Sequence, residues 1–174
     1  MKMQFTYNIF LIGFMGSGKS TVADYLCKKF DMDVVEMDQV IAERERMSIS
    51  DIFEKHGELY FRDLETKLLV ELQEKSNTVV SCGGGVAMRE CNVAEMKKNG
   101  KVVLLTAKPE TILERVENNH DRPLLENNKT VAYIAELMEK RREKYEAAAD
   151  MIIETDGKSA QKICEEMIQR LGER

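Results

Sequence analysis

Short apolar runs alternate with stretches of helical periodicity along the whole chain. Five runs predict buried strands, which span residues 8–12, 34–37, 78–81, 102–105 and 151–153. Most of these runs are continuously apolar, which is typical of strands that are covered on both faces. The pattern therefore predicts an α/β fold: a doubly wound, five-stranded parallel sheet flanked by helices.

Helical spacing of apolar positions fills the segments between these strands. The predicted helices lie at residues 19–30, about 49–53, 60–73, 90–98, from 109 onward, 131–148 and about 163–171. Ser48 and Ser50 suit the capped start of the short second helix, and Pro109 fits the first turn of another. The charged stretch 43–46 predicts a solvated helix face.

The longest polar stretch, residues 118–129, is rich in asparagine and lies between two predicted helices. It predicts a mobile loop. No internal repeat, low-complexity tract or linker divides the sequence. We therefore expect one domain over residues 1–174, with a substrate-binding segment near 38–65 and a lid near 118–130.

Composition and charge narrow the class of protein. Of 174 residues, 43% are hydrophobic and 33% are charged, as in ordinary globular domains. The net charge of -5 argues against nucleic acid as the main partner. The apolar run 9–15 is short and broken by Gly13, no small-residue cleavage site follows it, and no run reaches the length of a membrane span. We expect a cytoplasmic protein.

Cysteine and histidine positions indicate neither a metal site nor a disulfide framework. The four cysteines are scattered, without a C-x-x-C pair: Cys27, Cys82, Cys91 and Cys164. We expect free thiols in a reducing compartment. His56 and His120 have no partner at ligand spacing, which favours positions at the surface or at helix ends.

Residues 13–20 match the phosphate-loop pattern G-x-x-x-x-G-K-[ST], with a predicted strand before it and a predicted helix after it. Glycines let backbone N–H groups surround phosphates, and the helix directs its positive end to the same place. Lys19 would supply a cation for the β- and γ-phosphates, and the Ser20 hydroxyl can ligate Mg²⁺. A glycine-rich turn without function is the alternative. The pattern alone does not distinguish a kinase from an ATPase or a GTPase.

Two acids and a glycine triplet follow the second and third predicted strands. Glu36 and Asp38 are two residues apart, so in a strand they would point to the same side, one toward Mg²⁺ and one toward an acceptor hydroxyl. A helix N-cap by Asp38 is the alternative. Glycines 83–85 would let a ligand approach the backbone, although a flexible turn would have the same composition. Ser81, where many mechanical ATPases have an acid, counts against that class.

Three arginines are candidates for anion binding: Arg62, Arg122 and Arg141. Arg122 lies at the edge of the polar loop, beside a proline that restricts the local backbone. Guanidinium groups bind carboxylates and phosphates in a bidentate way, so several in one cleft would hold an acid and help neutralise a transferring phosphate. Taken singly, each is more often a solvated surface charge.

In combination, these residues resemble the shikimate kinase family over essentially the whole chain. The shared motifs occur in order: GFMGSGKST at 13–21, the acid pair ending at Asp38, IF…GE..FR..E over 52–65, SCGGG at 81–85, RPLL at 122–125 and R-x-x-x-Y at 141–145. The resemblance implies a P-loop kinase fold with strand order 2-3-1-4-5 and a mobile lid. It also implies a monomer that transfers the γ-phosphate of ATP to the 3-hydroxyl of shikimate, on the route to chorismate and aromatic amino acids.

The resemblance also implies roles for individual residues. Asp38 matches the base or orienting group for the acceptor, and Lys19 and Arg122 match groups that neutralise the phosphates. The implied ATP-binding residues are Gly13, Met15, Gly16, Ser17, Gly18, Lys19, Ser20, Thr21, Arg115, which would pack on adenine, and Arg122 in the lid. The implied shikimate-binding residues are Asp38, Arg62, Gly83, Gly84, Gly85 and Arg141. Ser20 would ligate Mg²⁺ directly, and Glu36 and Ser81 would interact with the ion through its bound water.

One position departs from the family pattern, and two alternatives remain. Glu36 stands where many members have aspartate; its longer side chain could still hold a metal-bound water. The spacing to Tyr145 favours Arg141 over Arg142. The alternative functions are another small-metabolite kinase, acting on gluconate or a nucleoside monophosphate, and a nucleotide-binding regulator without turnover.

Overall fold

The computed structural model describes residues 4–116 and 130–172. In this part of the chain five strands form one parallel sheet in the order β2-β3-β1-β4-β5, as predicted. The strands are β1 (Asn8–Ile12), β2 (Asp33–Glu36), β3 (Thr78–Ser81), β4 (Gly100–Thr106) and β5 (Met151–Glu154). The central strand β1 is buried along its whole length, which explains its continuous apolar sequence.

Eight α-helices connect and cover the strands in the described ranges. They are α1 (Lys19–Phe30), α2 (Met37–Glu45), α3 (Ile49–His56), α4 (Glu58–Glu71), α5 (Glu90–Lys98), α6 (Pro109–Val116), α7 (Val131–Ala148) and α8 (Ala160–Gly172). Short 3₁₀ turns follow α4 at Leu72–Glu74 and the glycine triplet at Val86–Met88. The Ser48 side chain accepts a hydrogen bond from Asp51 N at 3.1 Å, which confirms the predicted cap of α3.

Side chains of β1 alternate between two apolar layers. Phe10 and Ile12 pack with α2 to α5 and α7 on one face, whereas Ile9 and Leu11 pack with α1 and α8 on the other. This alternation is the period of two that a strand imposes. The sheet is therefore covered on both faces, as the sequence predicted.

The segment after β2 corrects one prediction. Strand β2 ends at Glu36, and Asp38 lies in the first turn of α2, so the two acids are not strand neighbours on one side. Met37 is fully buried at the start of this helix, and an acidic residue in a first turn is favoured by the helix dipole. The charged stretch predicted as a solvated helix face forms the end of α2 and its C-cap residue, Arg46.

Other predictions concern the cysteines, the histidines and the polar loop. All four cysteines are free thiols, and His56 is exposed at the end of α3. None of the described helices has the length and apolar character that a membrane span requires. The predicted mobile loop at 118–129, together with His120 and Arg122, lies outside the described residues.

Candidate active site

A cavity of about 410 Å³ lies at the carboxyl ends of the central strands. This is where open parallel sheets bind ligands. Most of the predicted site residues line it: Met15, Gly16, Ser17, Gly18, Lys19, Ser20, Thr21, Glu36, Asp38, Ser81, Gly83, Gly84 and Arg115. Of the other described candidates, Arg62 lies against Gly85 and Arg141 lies against Gly84 in the glycine triplet. Gly13 is the first residue of the phosphate loop.

The phosphate loop has the backbone that its glycines allow. Gly13, Gly16 and Gly18 have φ values of 145°, 79° and 103°, which residues with a Cβ rarely adopt. A Cβ on Gly13 would also strike the Leu105 carbonyl and come within 2.9 Å of Ser17 Oγ. No side chain caps the start of α1, so its first N–H groups are left for an anion.

Lys19 lies over this loop. Its Nζ donates to the carbonyl oxygens of Gly13 at 2.7 Å and Phe14 at 3.0 Å. Carbonyl acceptors on a flexible ammonium are easily exchanged for stronger ones. An incoming phosphate would supply such acceptors at the same end of the loop.

Oxygen groups that suit a hard cation meet beside the start of α1. Ser20 Oγ donates to Glu36 Oε2 at 3.0 Å, and Glu36 is the register partner of the buried Ser81 on β3. Hydroxyl and carboxylate oxygens are ligands of Mg²⁺. Among the described residues no cluster of three or more acids, histidines or cysteines forms a metal cage. The Ser20 hydroxyl and the Glu36 carboxylate fit an Mg²⁺ ion that also binds water and nucleotide phosphates.

Each glycine of the triplet leaves room for a different functional side chain. A Cβ on Gly83 would lie 2.6 Å from Glu65 Oε2 and 3.0 Å from Asp38 Oδ1. A Cβ on Gly84 would lie 3.0 Å from the guanidinium of Arg141, and one on Gly85 would strike that of Arg62. Functional side chains thus approach the backbone of the triplet closely, and an inert flexible turn would not require this close approach.

A buried ion pair on α4 supports one wall of this site. Arg62 donates to Glu65 at 2.9 Å and to Glu58 at 3.1 Å; the Glu65 side chain is fully buried. Burial raises the pKa of Glu65 to about 7, and Asp38 adds to the rise, although Arg62 opposes it. Burial would lower the pKa of Arg62, but Glu65 and Glu58 outweigh it and the pKa is raised. Arg62 therefore remains a cation that a further anion can approach, in addition to its two carboxylate partners.

Arg141 and Arg142 have different surroundings. The Arg141 guanidinium lies 5.7 Å from the centre of the Phe14 ring and beside Gly84. Arg142 is exposed and pairs with Glu139 and Glu146 on its own helix. The structure therefore places Arg141, as the spacing favoured, at the glycine loop.

The end of the cavity next to α6 contains residues that the sequence analysis missed. Arg115, a predicted ATP contact, donates to Gly16 O at 2.9 Å and Thr155 Oγ1 at 3.3 Å. Thr155, Lys158 and Ala160 line the same cavity, just after β5. Their position after the carboxyl end of a predicted strand was the available signal.

Glu65 and Tyr145 were also missed as site residues. Glu65 lies three residues after Arg62 on a helical stripe that otherwise contains Phe61, Leu68 and Leu69. An acid on an apolar stripe at this spacing is a detectable sign of a buried pair. Tyr145 belonged to a quoted motif, but nothing in the sequence indicated what its hydroxyl would contact.

Comparisons with known proteins show the family to which the chain belongs. The family model described as shikimate kinase matches residues 15–172. The curated shikimate kinase of Persephonella marina is 44% identical over 164 residues, which cover 94% of this chain and 98% of that protein. The structure of Acinetobacter baumannii shikimate kinase in complex with shikimate superposes with a TM-score of 0.90 at 32% identity, over 95% of this chain and 92% of that one.

A second solved structure gives the same result. Shikimate kinase from Aquifex aeolicus superposes with a TM-score of 0.81 at 37% identity, over 94% of this chain and 95% of that one. Both sequence and structure therefore match over nearly full length. The chain belongs to the shikimate kinase family, whose members are ATP-dependent kinases.

Proposed function

We propose that this protein transfers the γ-phosphate of ATP to the 3-hydroxyl of shikimate, giving shikimate 3-phosphate and ADP. The observation that carries the proposal is the joining of two half-sites in one crevice. An intact phosphate loop forms one wall, and the other wall combines Asp38 with a glycine triplet flanked by Arg62 and Arg141. The family match and the shikimate-bound Acinetobacter baumannii structure support the choice of acceptor.

On the phosphate side, the N–H groups at the start of α1 and the ammonium of Lys19 would bind the β- and γ-phosphates. Lys19 already lies against the Gly13 and Phe14 carbonyls, so it needs only a change of acceptor to reach a phosphate. Phosphoryl transfer depends mainly on positioning and charge neutralisation. Both requirements are met by a preformed loop with one mobile cation.

Mg²⁺ would be held by the Ser20 hydroxyl, with Glu36 and Ser81 holding its water ligands. When bound, the ion neutralises phosphate charge. The hydrogen bond of 3.0 Å from Ser20 to Glu36 supports this grouping, because it shows that the longer side chain of glutamate reaches the Ser20 hydroxyl. The departure of Glu36 from the family pattern is thus compatible with the proposed role.

On the acceptor side, Arg62 and Arg141 would bind the carboxylate of shikimate, and the glycine triplet would accept the ring against its backbone. Both guanidinium groups lie against this triplet, at Gly85 and Gly84. Asp38, beside Gly83, would orient the acceptor hydroxyl and take its proton. The glycine triplet with this pair of cations suits a small cyclic acid better than a nucleotide. Gluconate also carries a carboxylate, so the assay of acceptors has to distinguish it from shikimate.

Two further roles stay predictions. Arg115 lies at the end of the phosphate loop and would pack on adenine. Arg122, predicted to neutralise the phosphates from a lid, lies outside the described residues. Neither a monomeric state nor a cytoplasmic location is needed for the proposed reaction.

The test is an assay of ADP release with Mg·ATP, in which shikimate, gluconate and a nucleoside monophosphate are compared as acceptors. We expect turnover with shikimate alone, and a loss of about 10²–10⁴-fold in kcat for Asp38→Asn. Turnover with another acceptor and none with shikimate would reject the substrate assignment. No turnover with any acceptor would favour the regulator without catalysis.

A binding measurement separates the acceptor site from catalysis. Shikimate alone should raise the melting temperature of Asp38→Asn, because a ligand selective for the native state stabilises it. An absence of stabilisation by shikimate in the wild-type protein would contradict the proposed pocket even if ATP still bound.

A further inference from the structure

Tyr145 contacts both the glycine triplet and Arg141 from outside the cavity. It lies in the last turns of α7, is 5% exposed, and packs its ring in the apolar layer that contains Phe10 and Leu104. It is not among the residues that line the phosphate and acceptor cavity. Its hydroxyl contacts Gly84 and Arg141, so an effect on the acceptor would act through these two groups.

The hydroxyl of Tyr145 uses both its donor and its acceptor capacity. It donates to Gly84 O at 2.5 Å, a short bond, and it accepts from the Arg141 guanidinium at 3.4 Å, a long one. The i,i+4 spacing of the two residues on α7 brings them together. One buried oxygen thus joins the second glycine of the triplet to a proposed carboxylate ligand.

A fixed Gly84 carbonyl is important because the glycine backbone around it is conformationally flexible. Three successive glycines lose more conformational entropy on ordering than other residues do. The peptide unit is planar, so holding the Gly84 carbonyl also sets the direction of the Gly85 N–H. The Gly83 and Gly85 carbonyls accept from Val86 N and Met88 N, so loss of the Tyr145 bond would free the Gly84 carbonyl between them, against which Arg141 lies.

The protonation of Tyr145 suits this arrangement. Burial raises its pKa above the ordinary value, and the nearby Arg141 opposes the rise only in part. The phenol therefore keeps its proton at neutral pH, and that proton is the one donated to Gly84. Among the residues that the structure describes, the Arg141 guanidinium donates a hydrogen bond to Tyr145 alone, which leaves its other N–H groups for an anion.

We propose that Tyr145 is a positioning residue of the acceptor site: its hydroxyl holds the Gly84 carbonyl and the Arg141 guanidinium in the geometry that receives the acceptor carboxylate. This inference rests on the proposed shikimate kinase activity. It assigns to Tyr145 control of acceptor affinity, without contact to the acceptor and without a part in nucleotide binding.

The test is the variant Tyr145→Phe, which keeps the buried ring and removes only the hydroxyl. We expect KM for shikimate to rise about tenfold, because a buried carbonyl loses its donor and Arg141 loses a partner. KM for Mg·ATP and kcat should each stay within about twofold. Tyr25→Phe is the matched control. Tyr25 lies on α1, in the apolar layer on the opposite face of the sheet, and this variant should leave both KM values unchanged.

The outcomes separate the possible failures. An unchanged KM for shikimate in Tyr145→Phe, or an equal rise for shikimate and Mg·ATP, would overturn the positioning role. An absence of turnover with shikimate in the wild-type protein would instead reject the proposed function itself.

A second measurement leaves the fold intact. Fluorotyrosine placed at position 145 of the full chain should show a fluorine NMR shift when shikimate is added and a smaller one with ADP. Saturation with shikimate without any shift of that resonance would also overturn the inference.

Discussion

The two walls of the crevice are built in opposite ways. The phosphate wall comes from one continuous segment, where β1 turns into α1, and its ligand groups are mainly backbone N–H donors. The acceptor wall is assembled from side chains on α2, α4 and α7 that meet at the glycine triplet after β3. Local chain geometry therefore determines the first wall, and tertiary packing determines the second.

This difference decides how each wall tolerates change. Backbone donors are insensitive to side-chain identity but need the glycine φ values that the loop adopts. Side chains that converge from separate helices depend on each other: Asp38 raises the pKa of Glu65, and Glu65 in turn pairs with Arg62. Substitutions should therefore affect one wall at a time.

The largest expected effect belongs to the single cationic side chain of the phosphate loop. Lys19→Met should lower kcat/KM by about 10³-fold, because no backbone donor replaces a mobile charge on the transferring phosphate. Shikimate should still raise the melting temperature of this variant. A steady-state assay and a thermal melt with shikimate measure the two halves separately.

Lys28→Met is the matched control, since Lys28 lies on the same helix but is exposed and paired with Asp24. It should keep wild-type kinetics. Loss of shikimate binding in Lys19→Met would show that the two walls are not independent.

The next effect concerns the pH dependence of stability and arises from the acceptor wall. The pKa of Glu65 is about 7 in the folded protein, raised above the ordinary value by burial. Between pH 4.5, the ordinary pKa of a glutamate, and about pH 7, the folded chain binds a proton that the unfolded chain lacks. Its contribution to stability is therefore complete at low pH and is lost as pH rises toward about 7, by at most about 3 kcal/mol.

Glu65→Gln removes this titration, so its unfolding free energy should depend less on pH between about 4.5 and about 7 than that of the wild type. Urea unfolding at several pH values measures the slopes. Glu58→Gln is the control, because Glu58 also bonds to Arg62 but its side chain is 58% exposed. Parallel slopes in Glu65→Gln and wild type would reject the raised pKa.

The same division explains what the sequence could predict. The phosphate loop was recognisable because strand, glycines, lysine and helix are contiguous, and the strand order followed from the family resemblance. The position of Asp38 could not be predicted, because it depends on where β2 ends and α2 begins. The pairing of Glu65 with Arg62 three residues earlier was detectable from spacing on an apolar stripe. The contact of Tyr145 with Gly84 is set by packing between distant segments, for which one sequence carries no direct signal.

A third prediction tests the crowding around the glycine triplet. Gly83→Ala places a Cβ 2.6 Å from Glu65 Oε2 and 3.0 Å from Asp38 Oδ1, so both carboxylates must shift. We expect kcat/KM for shikimate to fall about 10²-fold, as misplacement of a reacting group does, with affinity for ADP unchanged. Gly172→Ala, where a Cβ meets nothing, should behave as wild type. An active Gly83→Ala would indicate that the acceptor wall adapts more freely than its packing implies.

The smallest effect is expected for a side chain of the phosphate loop other than Lys19. Ser17 is buried, and its Oγ has no hydrogen-bond partner among the described residues, whereas its backbone N–H donates to Phe14 O. Ser17→Ala should change the unfolding free energy by less than about 0.5 kcal/mol and KM for Mg·ATP by less than about twofold. Ser48→Ala removes a hydroxyl that caps α3 and should cost about 1 kcal/mol. If Ser17→Ala raised KM for Mg·ATP more than tenfold, the hydroxyl would be a phosphate ligand, and the phosphate wall would rely on a side chain besides Lys19.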